Sequence, residues 1–91
     1  MGNQALKNLM SQHELQVLQF LCQRGVAEPN PSHITEISSS TGIRNNDEVR
    51  RALYILEGKT LVQPEPAGDL TSNVWKVTTL GARAVDLLNE N

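Results

Sequence analysis

Apolar residues return at helical spacing in four stretches of this chain, and at every second position in two shorter ones. The first helical stretch, "SQHELQVLQFLCQRG", opens with Ser11 and Glu14 in the S-x-x-E spacing of a capping box. Leu15, Leu18 and Cys22 then recur on one stripe, widened by Phe20 and Leu21, and Gly25 is placed to stop the helix. Met10, just before the cap, is placed to staple onto Leu15. Ahead of it, "QALKNLM" predicts a short helix or extension within residues 1–10, and "VAEPNPS" reads as a loop because of its prolines. In "HITEISSSTG" the pattern turns Ile34 and Ile37 inward, with Thr35 as cap and Gly42 as stop. In "NNDEVRRALYILEG" Asn46 is the expected cap, Asp47 and Glu48 favour the first turn, and Gly58 ends the helix.

"TLVQPE" and "NVWKVT" alternate as the two strands of a hairpin around "PAGDLTS". Thr78 or Thr79 is expected to cap a last helix, "LGARAVDLLNE", whose stripe is Leu80, Ala84, Leu87 and Leu88. The predicted fold class is mainly α with a small β-hairpin. In element order it matches a winged helix-turn-helix: a three-helix core, a wing and a C-terminal helix over residues 11–91, with any first strand reduced to the surroundings of His33. "LEGKTLV…WKVTTLG" is similar to the wing region of winged-helix families, including its T-x-x-G helix start. The expected core includes Leu15, Leu18, Leu21, Ile37, Val49, Leu53, Leu56, Val74 and Leu87.

At about 100° per residue, Val49, Ala52, Leu53 and Leu56 form one stripe on the third helix, which leaves Tyr54 on the opposite side. Arg50 lies one turn before it. Trp75, in the second strand of the hairpin, is placed to fold toward this face and pack edge-on against the tyrosine. "GIRNNDEVRRALY…VWKV" resembles the Zα family, winged-helix domains that bind left-handed nucleic acid, over about Gln12 to Val77. In that family the third helix carries an Asn one turn before a Tyr, and the wing carries Pro-Pro, one residue, then Trp. The resemblance implies that Tyr54 stacks on a base and that Trp75 holds phosphate. The chain departs from the pattern at Arg50, where the Asn belongs, and at Ser72-Asn73, which replace the prolines. Asp47 stands where a lysine is common, and the wing loop is longer.

Charge changes this picture. The 91 residues carry 8 Lys+Arg against 10 Asp+Glu, a formal net charge of −2. That is not the basic footprint of an ordinary DNA-binding domain. Between Arg44 and Lys76 the bases Arg44, Arg50, Arg51, Lys59 and Lys76 are matched by Asp47, Glu48, Glu57, Glu65 and Asp69. Phosphate neutralisation supplies most non-specific affinity, so a balanced surface binds a duplex weakly unless the bases converge. The ordinary reading of Arg50 and Arg51 is a solvated face with local pairing to Asp47 and Glu57.

Two functional classes follow. One is a nucleic-acid-binding domain whose contacts are Arg44, Arg50, Arg51, Tyr54, Trp75 and Lys76. The other is a protein-interaction domain that uses the same face, with Tyr54 and Trp75 as anchors. Nothing has the pattern of a catalytic site: no G-x-S-x-G surrounds the serines, and no glycine loop is built to cradle phosphate. His13 and His33 lack partners at metal-ligand spacing, so no metal or other cofactor is expected. Cys22 is the sole cysteine, which points to an intracellular protein, nuclear or cytoplasmic, and to a monomer as an isolated domain. No apolar run has the length of a membrane span, and Leu6 stands where an N-acylation signal after Gly2 requires Ser or Thr.

Overall fold

The computed structural model describes residues 10–23 and 31–89. The short helix expected ahead of Met10 lies outside them, as do Gly25 and most of the loop that follows it. Among the described residues, four helices and three short strands run in the order α1 (Gln12–Gln23), β1 (Ser32–His33), α2 (Ile34–Thr41), α3 (Asn46–Gly58), β2 (Val62–Pro64), β3 (Val74–Val77) and α4 (Thr79–Asn89). β3 is the centre of a three-stranded antiparallel sheet, with Ser32 opposite Trp75 on one side and Val62 opposite Val77 on the other. The chain is therefore mainly helical with a small antiparallel sheet.

Each helix begins where side chains satisfy its free amides. Ser11 Oγ accepts from the Glu14 amide at 3.3 Å, as in a capping box, while the Glu14 carboxylate turns back to accept from the Ser11 hydroxyl at 2.9 Å. His33, not Thr35, caps α2: its Nδ1 accepts from the Thr35 amide at 3.1 Å. α3 is capped by Asn45, one residue before the expected Asn46, through Oδ1 to the Asp47 amide at 2.8 Å. Two adjacent asparagines made that choice open in sequence. Thr78 caps α4, accepting from the Gly81 amide at 3.0 Å while donating to the Thr60 carbonyl at 2.7 Å. Gly42 takes the left-handed conformation that ends α2, its amide donating to the Ser38 carbonyl. At the end of α3 the left-handed residue is Thr60, two positions after the glycine.

The core is built by Val17, Leu18 and Leu21 of α1, Ile34 and Ile37 of α2, and Val49, Ala52, Leu53 and Leu56 of α3. Trp75 and Val77 close it from the sheet. The phase of α3 is the one its periodicity predicts. Elsewhere the expected core needs correction. Leu15 and Val74 are only half-buried, and Leu87 is 51% exposed. On α4 the inward face is Gly81, Ala82, Ala84, Val85 and Leu88, while Leu80 is 50% exposed. Small residues face inward because the helix lies close against the backbone at Leu61, where a larger side chain would not fit. Cys22 is a buried free thiol. Burial pushes its pKa up and the Asp86 carboxylate adds to this, so the thiol stays protonated and poorly nucleophilic.

Ser32 is fully buried, and its hydroxyl has no hydrogen-bond partner among the described residues. An unsatisfied buried polar group costs about 1–3 kcal/mol, more than the small void left when a single oxygen is removed. Ser32→Ala is therefore expected to stabilise the domain by about 1 kcal/mol in urea denaturation. A loss of stability of that size would mean that the hydroxyl is bonded in solution.

Candidate functional site

Tyr54 projects from the outer side of α3 and is 41% exposed. Its ring lies 6.1 Å from that of Trp75, centroid to centroid, at an interplanar angle of 52°. This is the tilted packing that the quadrupoles of two aromatic rings favour. The two partners differ in what they offer to a ligand. Trp75 has no exposed surface, and its Nε1 donates to the Ser72 carbonyl at 2.9 Å. The indole is thus part of the core, and the contact role expected for it is not available to a buried ring. Strand alternation carried that signal: Lys76 and Val74 share one parity, so Trp75 and Val77 share the inward one.

Arg50 is committed to the hairpin. Its Nη1 donates to the carbonyls of Leu70 at 3.4 Å and Ser72 at 3.2 Å, and its Nη2 donates to Asn73 Oδ1 at 2.5 Å. Tyr54 OH donates to the same Leu70 carbonyl at 2.9 Å. Neither Arg50 nor Arg51 forms the expected ion pair with Asp47 or Glu57 among the described residues. The loop beyond β2 is therefore fastened to α3 at Leu70, Ser72 and Asn73. It is also closed on itself: Asp69 Oδ1 accepts from the Thr71 amide at 3.1 Å and from its hydroxyl at 2.6 Å. Ser72 Oγ donates to the Glu65 carbonyl at 2.6 Å. Sequence reasoning had no means of finding this clamp, because Arg50 and Ser72 lie 22 residues apart in sequence.

The remaining cations divide. Lys76, half-exposed on the outer side of β3, has its Nζ 3.1 Å from Glu65 Oε1 across the hairpin. Such a pair adds little stability, but it neutralises the lysine towards an incoming anion. Arg44, just before α3, and Arg51, on its outer side, are exposed and have no ion-pair partner among the described residues. Leu70, at 43% exposure, adds an apolar spot at the loop. The face thus joins a half-exposed tyrosine and a loop leucine on a helix and hairpin bound to each other, while Arg51 also borders the crevice between α1 and α3, beside His13 and Glu48.

His13 lies 3.7 Å from Glu48, between α1 and α3, and Lys59 lies 3.9 Å from Glu14. No group of three His, Cys, Asp or Glu side chains is placed to hold a metal ion among the described residues. No helix among them is long and apolar enough to cross a membrane. No family model matches the chain, and comparisons with curated proteins and with solved structures return no match.

Proposed function

We propose that this chain is a winged-helix binding domain that meets a nucleic-acid duplex through the outer side of α3 and the β2–β3 hairpin. The observation that carries the reading is the clamp from Arg50 and Tyr54 to the hairpin loop. It holds the hairpin in register with the exposed side of α3, so binding would not have to order the loop first. Arg44 and Arg51 then supply phosphate contacts, and the ring of Tyr54 supplies a stacking or apolar contact. Arg50 and Trp75 position the surface and do not touch the ligand.

The resemblance to the Zα pattern is modified by this assignment. Among the positions at which the chain departs from that pattern, Arg50 and Ser72-Asn73 are hydrogen-bonded to one another. Where the family offers an asparagine to phosphate and prolines to the backbone, this chain uses the same places to fasten helix to hairpin. A duplex read by Arg44, Arg51 and Tyr54 suits this surface better than the full Z-form contact set.

A second reading, docking of another protein on the same face, draws support from the exposed Tyr54 and Leu70 and from the neutralised Lys76. An NMR shift titration with a B-form duplex, a duplex that readily adopts the Z-form, and single strands separates the two. Shifts are expected at Arg44, Arg51, Tyr54 and Leu70. Arg44→Ala and Arg51→Ala should each lower the salt dependence by about one phosphate contact. Tyr54→Ala should weaken binding by about 1–3 kcal/mol, and Tyr54→Phe, which loses only the tether to Leu70, should weaken it less. Absence of shifts with every nucleic acid at low salt would leave the protein-docking reading in its place.

A further inference from the structure

α2, the helix packed against α3, starts on an uncommon cap. Ser, Thr, Asp and Asn are the usual residues at this position, and each accepts through oxygen at neutral or mildly acidic pH. Here the acceptor is a ring nitrogen. His33 Nδ1 lies 3.1 Å from the Thr35 amide and 2.9 Å from Thr35 Oγ1. A backbone amide only donates, so Nδ1 carries no proton and the ring is neutral, with its hydrogen on Nε2. An imidazolium has donors alone. Proton uptake therefore turns Nδ1 from acceptor to donor. It then gives its hydrogen to the Thr35 hydroxyl, and the Thr35 amide loses its partner. One ring position reaches both arrangements, and only the neutral one caps the helix.

We infer that His33 is a proton-sensitive fastener of α2, closed when the ring is neutral and open when it is charged. Capping and proton binding compete, so the stability that the cap supplies is present above the imidazole range and is lost as pH falls from about 8 to 5. The surroundings do not reverse that sign. His33 is exposed, opposite Val74 on the outer side of the sheet. The charged groups around it among the described residues are Glu36, in the first turn of α2, and Lys76 and Glu65 of the hairpin, which pair with each other. Attraction of Glu36 for an imidazolium is screened at an exposed ring, and the positive end of the α2 dipole opposes it. His13, the other histidine, acts with the opposite sign, since a proton strengthens its contact with Glu48, but that pair is exposed and contributes little. The fastener adjoins the hairpin clamp. The Ile34 amide donates to the Asn73 carbonyl at 2.8 Å, and Asn73 Oδ1 accepts from Arg50. The inference does not rest on the nucleic-acid reading of α3, because capping belongs to the fold.

Urea denaturation and NMR of the whole chain between about pH 8 and 5 test it. His33→Asn serves as a cap that does not titrate in this window, and His33→Ala as no cap. Near pH 8 the unchanged chain should exceed His33→Ala by about fivefold in its folding equilibrium constant, the ordinary worth of a cap. That advantage should vanish near pH 5, whereas the advantage of His33→Asn over His33→Ala should hold throughout. His13 and the carboxylates are common to all three chains and cancel in these ratios. The Thr35 amide resonance should follow the same titration curve as the His33 ring, with Ile34 and Asn73 responding less. A ratio to His33→Asn that stays constant with pH would overturn the inference, as would a Thr35 amide that ignores the ring. Equal stability of all three chains at every pH would overturn it too, because His33 would then contribute nothing as a cap.

Discussion

Trp75→Ala is expected to destabilise the domain by about 3–5 kcal/mol, as other losses of a large buried aromatic do. Trp75 is the largest of the fully buried side chains and stands on the central strand of the sheet, with β1 on one side and β2 on the other. Its removal opens a cavity behind the hairpin, leaves the Tyr54 ring without its partner and takes one donor from the Ser72 carbonyl. A chain of this size has a total stability on the order of 5–15 kcal/mol, so the variant should be partly unfolded in mild urea. Trp75→Phe keeps most of the volume but loses the Nε1 bond, and should cost clearly less. Urea denaturation followed by circular dichroism compares them without needing tryptophan fluorescence. A cost below about 1 kcal/mol for Trp75→Ala is what an exposed contact residue would show. That result would return Trp75 to the binding face.

The contrast between Trp75 and Tyr54 indicates how far the sequence could be read. The direction of Tyr54 followed from the stripe of α3, where Val49, Ala52, Leu53 and Leu56 share one phase. The hairpin followed from alternation, but the expected core took Val74 inward, the parity opposite to the one that buries Trp75 and Val77. The family pattern pulled the other way, because it assigns the tryptophan to a ligand, and the expectation followed the pattern. Arg50 shows a different limit. Two of its three acceptors are backbone carbonyls of a loop, and a carbonyl leaves no trace in a sequence. The helical wheel offered Asp47 and Glu57 as partners at short range, yet three loop acceptors win. A planar guanidinium that fits several acceptors at once is better satisfied there than in one exposed ion pair.

On α4 the error had another source. The expected stripe placed Leu80 and Leu87 inside with Ala84 and Leu88, whereas only the latter two face inward, beside Gly81, Ala82 and Val85. What decides the phase is how near two backbones come, and local sequence does not report that distance.

The closest approach is at Gly81, and Gly81→Ala is the second change expected to be severe. Intrinsic propensity argues the other way, since alanine in a helix is favoured over glycine by about 1 kcal/mol. A Cβ on Gly81, however, would lie 2.1 Å from the Leu61 carbonyl oxygen and 2.7 Å from Val77 Cγ2. Neither neighbour is free to retreat. The Leu61 carbonyl accepts from the Thr78 amide at 3.0 Å, and Val77 is paired with Val62 across the sheet. Relief requires α4 to move away from the β2 end of the hairpin, which breaks the Thr78 cap on the Gly81 amide and opens the packing of Ala84 and Leu88. Overpacking against side chains costs about 1–3 kcal/mol, and a backbone obstacle puts this site at the upper end or beyond, well above the propensity gain. Gly58→Ala is the internal control. No atom lies within 4 Å of a Cβ there and its φ is negative, so it should stabilise by about 0.4–1 kcal/mol. Opposite signs for the two glycine-to-alanine changes in one urea series are the expected result. If Gly81→Ala also stabilises, α4 does not lie against Leu61 and the inward face assigned to it is wrong.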